Sequence, residues 1–206
     1  MKQSYTLTPE ELFFMAKLMK ASYIDYEYIQ LMQDISQRFK LIQREVLRSL
    51  ENKKLLEEDF SGEIELSPEG QKILHPIFFG EAESDIKIDE ITHKFHFEGD
   101  DVTYVLMKGK QLHIQKGTIE DVRKLAETIA PESYKADQMI IDKRNLRGAK
   151  AEKVVTVRNR VVSQTANAME IVKISGAWYA GATQTKSILL SREDIHRICE
   201  KWLWEE

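Results

Sequence analysis

Apolar positions recur along the chain in two different periods, and the change of period marks its organisation. The helical period comes first. Thr8, Pro9, Glu10 and Glu11 supply an N-cap, a proline at the first helical position and an acidic residue three after the cap. Leu12, Met15, Ala16 and Met19 follow at helical spacing, and Phe13 and Phe14 widen the apolar surface. From about Asp25, the residues Tyr28, Leu31, Ile35, Phe39, Ile42, Val46 and Leu50 lie three or four apart, with Arg38, Lys40, Arg44 and Arg48 between them. This stretch is one long helix, or two with a break near Ser36. Ser61-Gly62 reads as a turn between two short extended pieces. Ser67 and Pro68 then start a short helix. It is expected to end by His75-Pro76, because proline disfavours helix in the residue before it.

From Asp85 the period falls to two. Ile86 and Ile88 open a run, His93, Phe95 and Phe97 form one side of a second, Val102, Tyr104 and Leu106 a third, and Leu112 and Ile114 a fourth. Such alternation predicts half-buried strands. Glu98-Gly99-Asp100-Asp101 and Lys108-Gly109 supply turns short enough for an antiparallel meander. A helix follows, capped by Thr118 with Asp121 three residues on, and closed by Pro131. The polar, basic run 143–153 is expected to be an exposed loop or hairpin tip. Strands resume at 154–162, 168–174, around 178–180 and at 187–190. A final helix is capped by Ser191, with Ile195, Ile198, Cys199, Trp202 and Leu203 on its inner face. The pattern predicts an α+β fold, an antiparallel sheet of meanders flanked by helices. Residues 1–84 form an N-terminal helical, winged-helix-like part, and residues 85–206 a sheet with helices, the two together one compact unit.

Composition narrows the class. Apolar residues make up 42% and charged residues 31%, an ordinary globular balance that argues against disorder. The N-terminus has no apolar core of the secretory kind, and no window approaches the roughly eighteen apolar residues of a membrane span. The single cysteine, Cys199, rules out a disulfide framework, reads as a small core residue and fits a reducing compartment. Together these predict a cytoplasmic protein with no integral membrane segment.

Charge is unevenly placed. Residues 51–101 hold fifteen acidic and five basic side chains, net −10, whereas residues 135–160 hold eight basic and three acidic, net +5. Such polarity either steers a partner of opposite sign or marks two solvated faces.

A search for catalytic chemistry returns no motif. His93 and His96 are the close histidine pair, but an odd offset on a strand points them to opposite faces, and neither Cys nor a further His completes a tetrahedral set. Phosphate-binding glycine loops, nucleophile elbows and zinc-protease patterns are missing from the sequence. Paired acids such as Glu57-Glu58 and Asp100-Asp101 fall in solvated turns, where carboxylates keep ordinary ionisation. The expectation is a non-enzyme with no cofactor and no metal.

Two resemblances bear on function. The order 46–50, 54–56, the Ser-Gly turn and Ile64-Glu65-Leu66-Ser67-Pro68-Glu69-Gly70 looks like the winged helix of regulators of the multiple-antibiotic-resistance type. That would make the chain a DNA-binding transcription regulator, with Arg38, Lys40, Arg44 and Arg48 its available basic cluster. A wing normally offers Lys or Arg to phosphates. This one carries Glu57, Glu58, Asp59, Glu63 and Glu65, so nucleic acid is not the expected partner.

The second resemblance spans nearly the whole chain. The Leu7-Thr8-Pro9-Glu10-Glu11-Leu12 helix start, Leu47 to Leu50, Lys54-Leu55-Leu56, Gly62, and the helix reaching Ile73-Leu74 and Pro76 come first. The meander, Val122 to Ile129, Val172 to Ile174, Gly176, Trp178, Ile188 to Leu190 and the helix from Asp194 follow. In this order they resemble the EspG family of type VII (ESX) secretion chaperones, closer to the EsaE-like relatives. The resemblance implies a cytosolic chaperone or adaptor that binds a helical secreted substrate of the WXG or LXG type, shields its apolar surface and delivers it to the secretion machine. It implies neither cofactor nor reaction. Recognition would be of the helix-in-groove kind, on sheet surface beside the C-terminal helix. The candidate contacts are the basic residues Lys143, Arg144, Arg147 and Lys150, which suit acidic helices, and Trp204, an interface anchor near the C-terminus.

Overall fold

The computed structural model of the protein describes residues 3–137, 139–142, 146, 149–161, 164–181 and 186–204. The fold is mixed α+β, with six helices and a large antiparallel sheet among the described residues. Ten strands hydrogen-bond in the order β1-β7-β6-β5-β4-β9-β10-β11-β12-β8, where the labels follow chain order. The chain forms two compact units, Met1–Ala82 with His96–Gly117, and Glu83–Phe95 with Thr118–Glu206.

In the first unit, β1 (Ser4–Leu7) leads into α1 (Pro9–Leu18). Thr8 caps α1 reciprocally: its N–H donates to Glu11 Oε2 at 2.8 Å, and its hydroxyl accepts from the Glu11 N–H at 3.3 Å. Of the two readings, one long helix or two broken near Ser36, the structure has the second: α2 (Tyr26–Met32) and α3 (Ile35–Asn52), broken at Gln33-Asp34. Leu12, Met15, Tyr28, Ile35, Phe39, Val46 and Leu50 all lie in the core, as their spacing predicts. A two-stranded hairpin follows, β2 (Leu56–Glu58) and β3 (Ile64–Leu66), with Gly62 at φ +82° in its turn. Next comes α4 (Pro68–Phe79).

The end of α4 corrects the sequence reading. The helix does not stop at His75 but runs through Pro76 for three more residues. Pro76 removes one backbone donor, yet Ile77 and Phe78 beyond it are 4% and 2% exposed. Burying two large apolar side chains, worth about 1.5–3 kcal/mol each, offsets the roughly 3 kcal/mol of a helical proline. The unit also holds part of β5 (Ile91–Glu98), and β6 (Asp101–Lys108) and β7 (Gln111–Lys116). β1, which the sequence reading passed over, pairs with β7, setting Tyr5 against Ile114 and Leu7 against Leu112.

The second unit contains β4 (Ala82–Ile88) from Glu83 onward, α5 (Ile119–Ile129), β8 (Met139–Asp142), β9 (Lys153–Val161), β10 (Asn167–Ile174), β11 (Ala177–Gly181), β12 (Lys186–Leu189) and α6 (Arg192–Leu203). Both helices start as the sequence predicts. Asp121 accepts from the Thr118 N–H and hydroxyl, and Asp194 accepts from those of Ser191. Helices α5 and α6 pack together, bridged by Arg123 and Glu200 at 2.9 Å, and α6 lies against β9. β8 is a further element missed from sequence, a four-residue strand on β12 at one edge of the sheet.

The half-buried alternation expected of the meander fails on β5. There Thr92, Lys94 and His96 are as buried as His93, Phe95 and Phe97. Two polar contacts make this tolerable, since buried polar groups need partners. In the first unit the His96 ring and the Tyr28 hydroxyl share a hydrogen bond of 2.7 Å. In the second, Lys94 Nζ lies 3.9 Å from the buried Asp85 carboxylate.

Candidate functional site

The buried titratable groups of the second unit are consumed structurally. Arg158 Nε donates to both Asp85 oxygens at 2.9 and 3.0 Å, and Arg160 Nε donates to Glu83 Oε1 at 2.7 Å. Glu83 and Asp85 are two apart on β4, as are Arg158 and Arg160 on β9, so the four form a ladder of cross-strand ion pairs. Each carboxylate there is bound by a cation, the opposite of the environment that raises a general acid into the physiological range. Cys199 is fully buried, and burial, with the nearby Glu200 charge adding to it, pushes its thiol up to about 12. A thiol so protonated is a poor nucleophile. Among the described residues, no three His, Cys, Asp or Glu side chains come together as metal ligands.

The outward surface is more informative. Sheet register in the second unit places two rows of side chains on opposite faces, because directly paired residues share a face and neighbours along a strand do not. One row is Val155, Ile171, Ala180, Ile188 and Ile140, in strand order β9-β10-β11-β12-β8. Its members from β9 to β11 are buried. The adjacent row is Val154, Val172, Tyr179, Leu189 and Met139 across the same five strands. All five are apolar or aromatic and none is buried: Val154 is 44% and Met139 55% exposed, and the three between are half-buried. Five such residues in direct register make a continuous apolar band on an open sheet face, the sort of patch that marks a binding surface. No single residue type announces it. The alternation of Val172 and Tyr179 is visible in the sequence, but the row appears only once strand register is known.

The residues singled out from sequence fall differently. Lys143, Arg144 and Arg147 lie outside the described residues. Lys150 is exposed, three residues before β9 begins. Trp204 ends α6, its N–H donating to the Glu200 carbonyl at 3.0 Å. Its ring is half-buried and meets Phe95 edge-on, centroids 6.2 Å apart. The open band had no place among the predicted contacts.

In the first unit, α3, the β2–β3 hairpin and α4 follow one another as in a winged helix. The hairpin exposes Glu57, Glu58, Glu63 and Glu65. Ser61 and the Glu63 N–H donate to Asp59, holding its exposed carboxyl below its usual range. The hairpin thus gathers five acidic side chains, a surface that would repel a phosphate backbone.

No protein-family model matches the chain, and no curated protein does. Among solved structures, the chain is similar to the Mycobacterium tuberculosis type VII secretion system chaperone EspG5, determined in complex with the PE25–PPE41 dimer. The TM-score is 0.65 at 9% sequence identity, and the match covers 98% of this chain and 99% of that one. At that identity the likeness is one of fold, and it extends over almost the whole chain: this protein shares its α+β architecture with that structure.

Proposed function

We propose that this protein is a cytoplasmic chaperone or adaptor that binds helical substrates of a type VII secretion system, keeps them from aggregating and hands them to the secretion machine. The observation that carries the reading is the open apolar band Val154-Val172-Tyr179-Leu189-Met139. A sheet face left uncovered over five strands is a liability unless something apolar seats on it. The apolar face of an amphipathic helix fits such a surface, and fold likeness to a secretion chaperone supports a helical secretion substrate as the client. Lys143, Arg144, Arg147 and Lys150 lie in the basic stretch before β9 and would meet acidic residues on the client helix. Trp204 would contribute from the end of α6. No reaction is required of any residue.

The test is retrieval of tagged protein from an extract of the source organism, with the bound protein identified by mass spectrometry. The expected result is a small helical secretion substrate held in a defined stoichiometry. Retrieval of DNA in a salt-sensitive complex, with no helical substrate, would replace this reading with the transcription-regulator one.

A further inference from the structure

A second surface, in the first unit, is independent of the client band. Lys40, Arg44 and Arg48 stand at successive i, i+4 positions on α3, so they form one stripe about 12 Å long. All three are exposed, and none makes an ion pair among the described residues. Arg38, further round the helix, is paired with Glu10 at 2.6 Å. Beside the stripe Leu41 is 85% exposed, and Glu45 and Glu51 lie at its flanks. Like charges at i, i+4 repel, so the stripe is unfavourable to the isolated helix.

The β2–β3 hairpin has the opposite fault. Glu57 and Glu65 are directly paired across its two strands, and like charges so placed are destabilising. Glu63, two residues before Glu65, adds to that face while Glu58 points from the other, and none of the four forms an ion pair among the described residues. At the tip, Phe60 is fully exposed. The Asp59 carboxylate holds the turn by accepting from the Ser61 N–H and hydroxyl and from the Glu63 N–H at 2.7–2.8 Å. Phe60 is thus presented on a pre-organised turn, which lowers the entropy cost of using it as an anchor.

We infer that two copies of this chain pair through these elements, the hairpin of each docking on the α3 stripe of the other. The occupant is a second copy because both complementary halves are on one chain and remain unpaired among its described residues. Carboxylates of the hairpin meet Lys40, Arg44 and Arg48, and Phe60 covers the exposed Leu41. A two-fold arrangement uses both contacts and closes the assembly.

The experiment is sedimentation velocity on the full chain and on charge-reversed variants, with circular dichroism to confirm each is folded. The wild-type chain is expected to dimerise, with a dissociation constant rising about tenfold or more between about 50 and 500 mM salt. Arg44→Glu with Arg48→Glu, and separately Glu57→Lys with Glu65→Lys, should each give a monomer. Mixing the two variants should restore a heterodimer, since each contact then again joins opposite charges. A wild-type chain that stays monomeric at about 0.1 mM in low salt would overturn the inference. So would a dimer indifferent to both reversals, or variants that stay monomeric when mixed.

Discussion

Two residues show how burial sets chemistry in this protein. Cys199 is the only thiol in the chain, fully covered on the inner face of α6, and its raised pKa removes the thiolate that reacts. A disulfide reagent at pH 8 should modify it at least about a hundredfold more slowly than a free thiol, and at the free rate once the chain is unfolded. Rapid labelling of the folded protein would contradict its place in the core. His93 is the second case. Burial lowers its pKa from 6.5 to about 4, so the folded chain keeps it neutral where the unfolded chain protonates it. Between those two values the unfolded state binds the extra proton, and stability must fall as pH drops through the window. The effect is roughly 3 kcal/mol across the window, measurable by urea unfolding at pH 7 and pH 4. His93→Leu should flatten that part of the pH dependence; an unchanged slope would mean the ring is not desolvated in the fold.

At the scale of elements, short-range chemistry was legible and long-range compensation was not. Thr8-Glu11, Thr118-Asp121 and Ser191-Asp194 each announce a helix start in the sequence, and each is realised, because a cap is satisfied by residues three apart. Pro76 misled because its cost is local while the burial of Ile77 and Phe78 that offsets it is tertiary. β1 and β8 escaped notice because four residues carry too little periodicity, and only pairing with β7 and β12 makes them strands. The start of α4 yields a prediction. Ser67 donates its hydroxyl to the Lys54 carbonyl at 2.7 Å, and its N–H donates to the Leu55 carbonyl at 3.0 Å. This draws the helix so close that a Cβ on Gly70 would sit 2.4 Å from the Leu55 oxygen. Gly70→Ala, normally favourable in a helix, should instead destabilise by about 1–3 kcal/mol in chemical denaturation. A stabilised variant would show that α4 is not seated there.

For the whole molecule, the α+β class and the order of most elements could be read from the change of period at about residue 85 and from the caps. The candidate binding surface could not. Val154, Val172, Tyr179, Leu189 and Met139 are scattered over 51 positions and meet only through four strand registers. What is conspicuous along the chain is local instead, a basic run and a tryptophan near the C-terminus. The proposed function rests on this band receiving the client. Its most direct test is calorimetric titration of the retrieved substrate into wild-type protein and into the Val172→Asp, Tyr179→Asp variant. With the variant's fold verified by circular dichroism, affinity should fall by about a hundredfold or more, from two carboxylates placed in an apolar contact. Equal affinity for wild type and variant would contradict it.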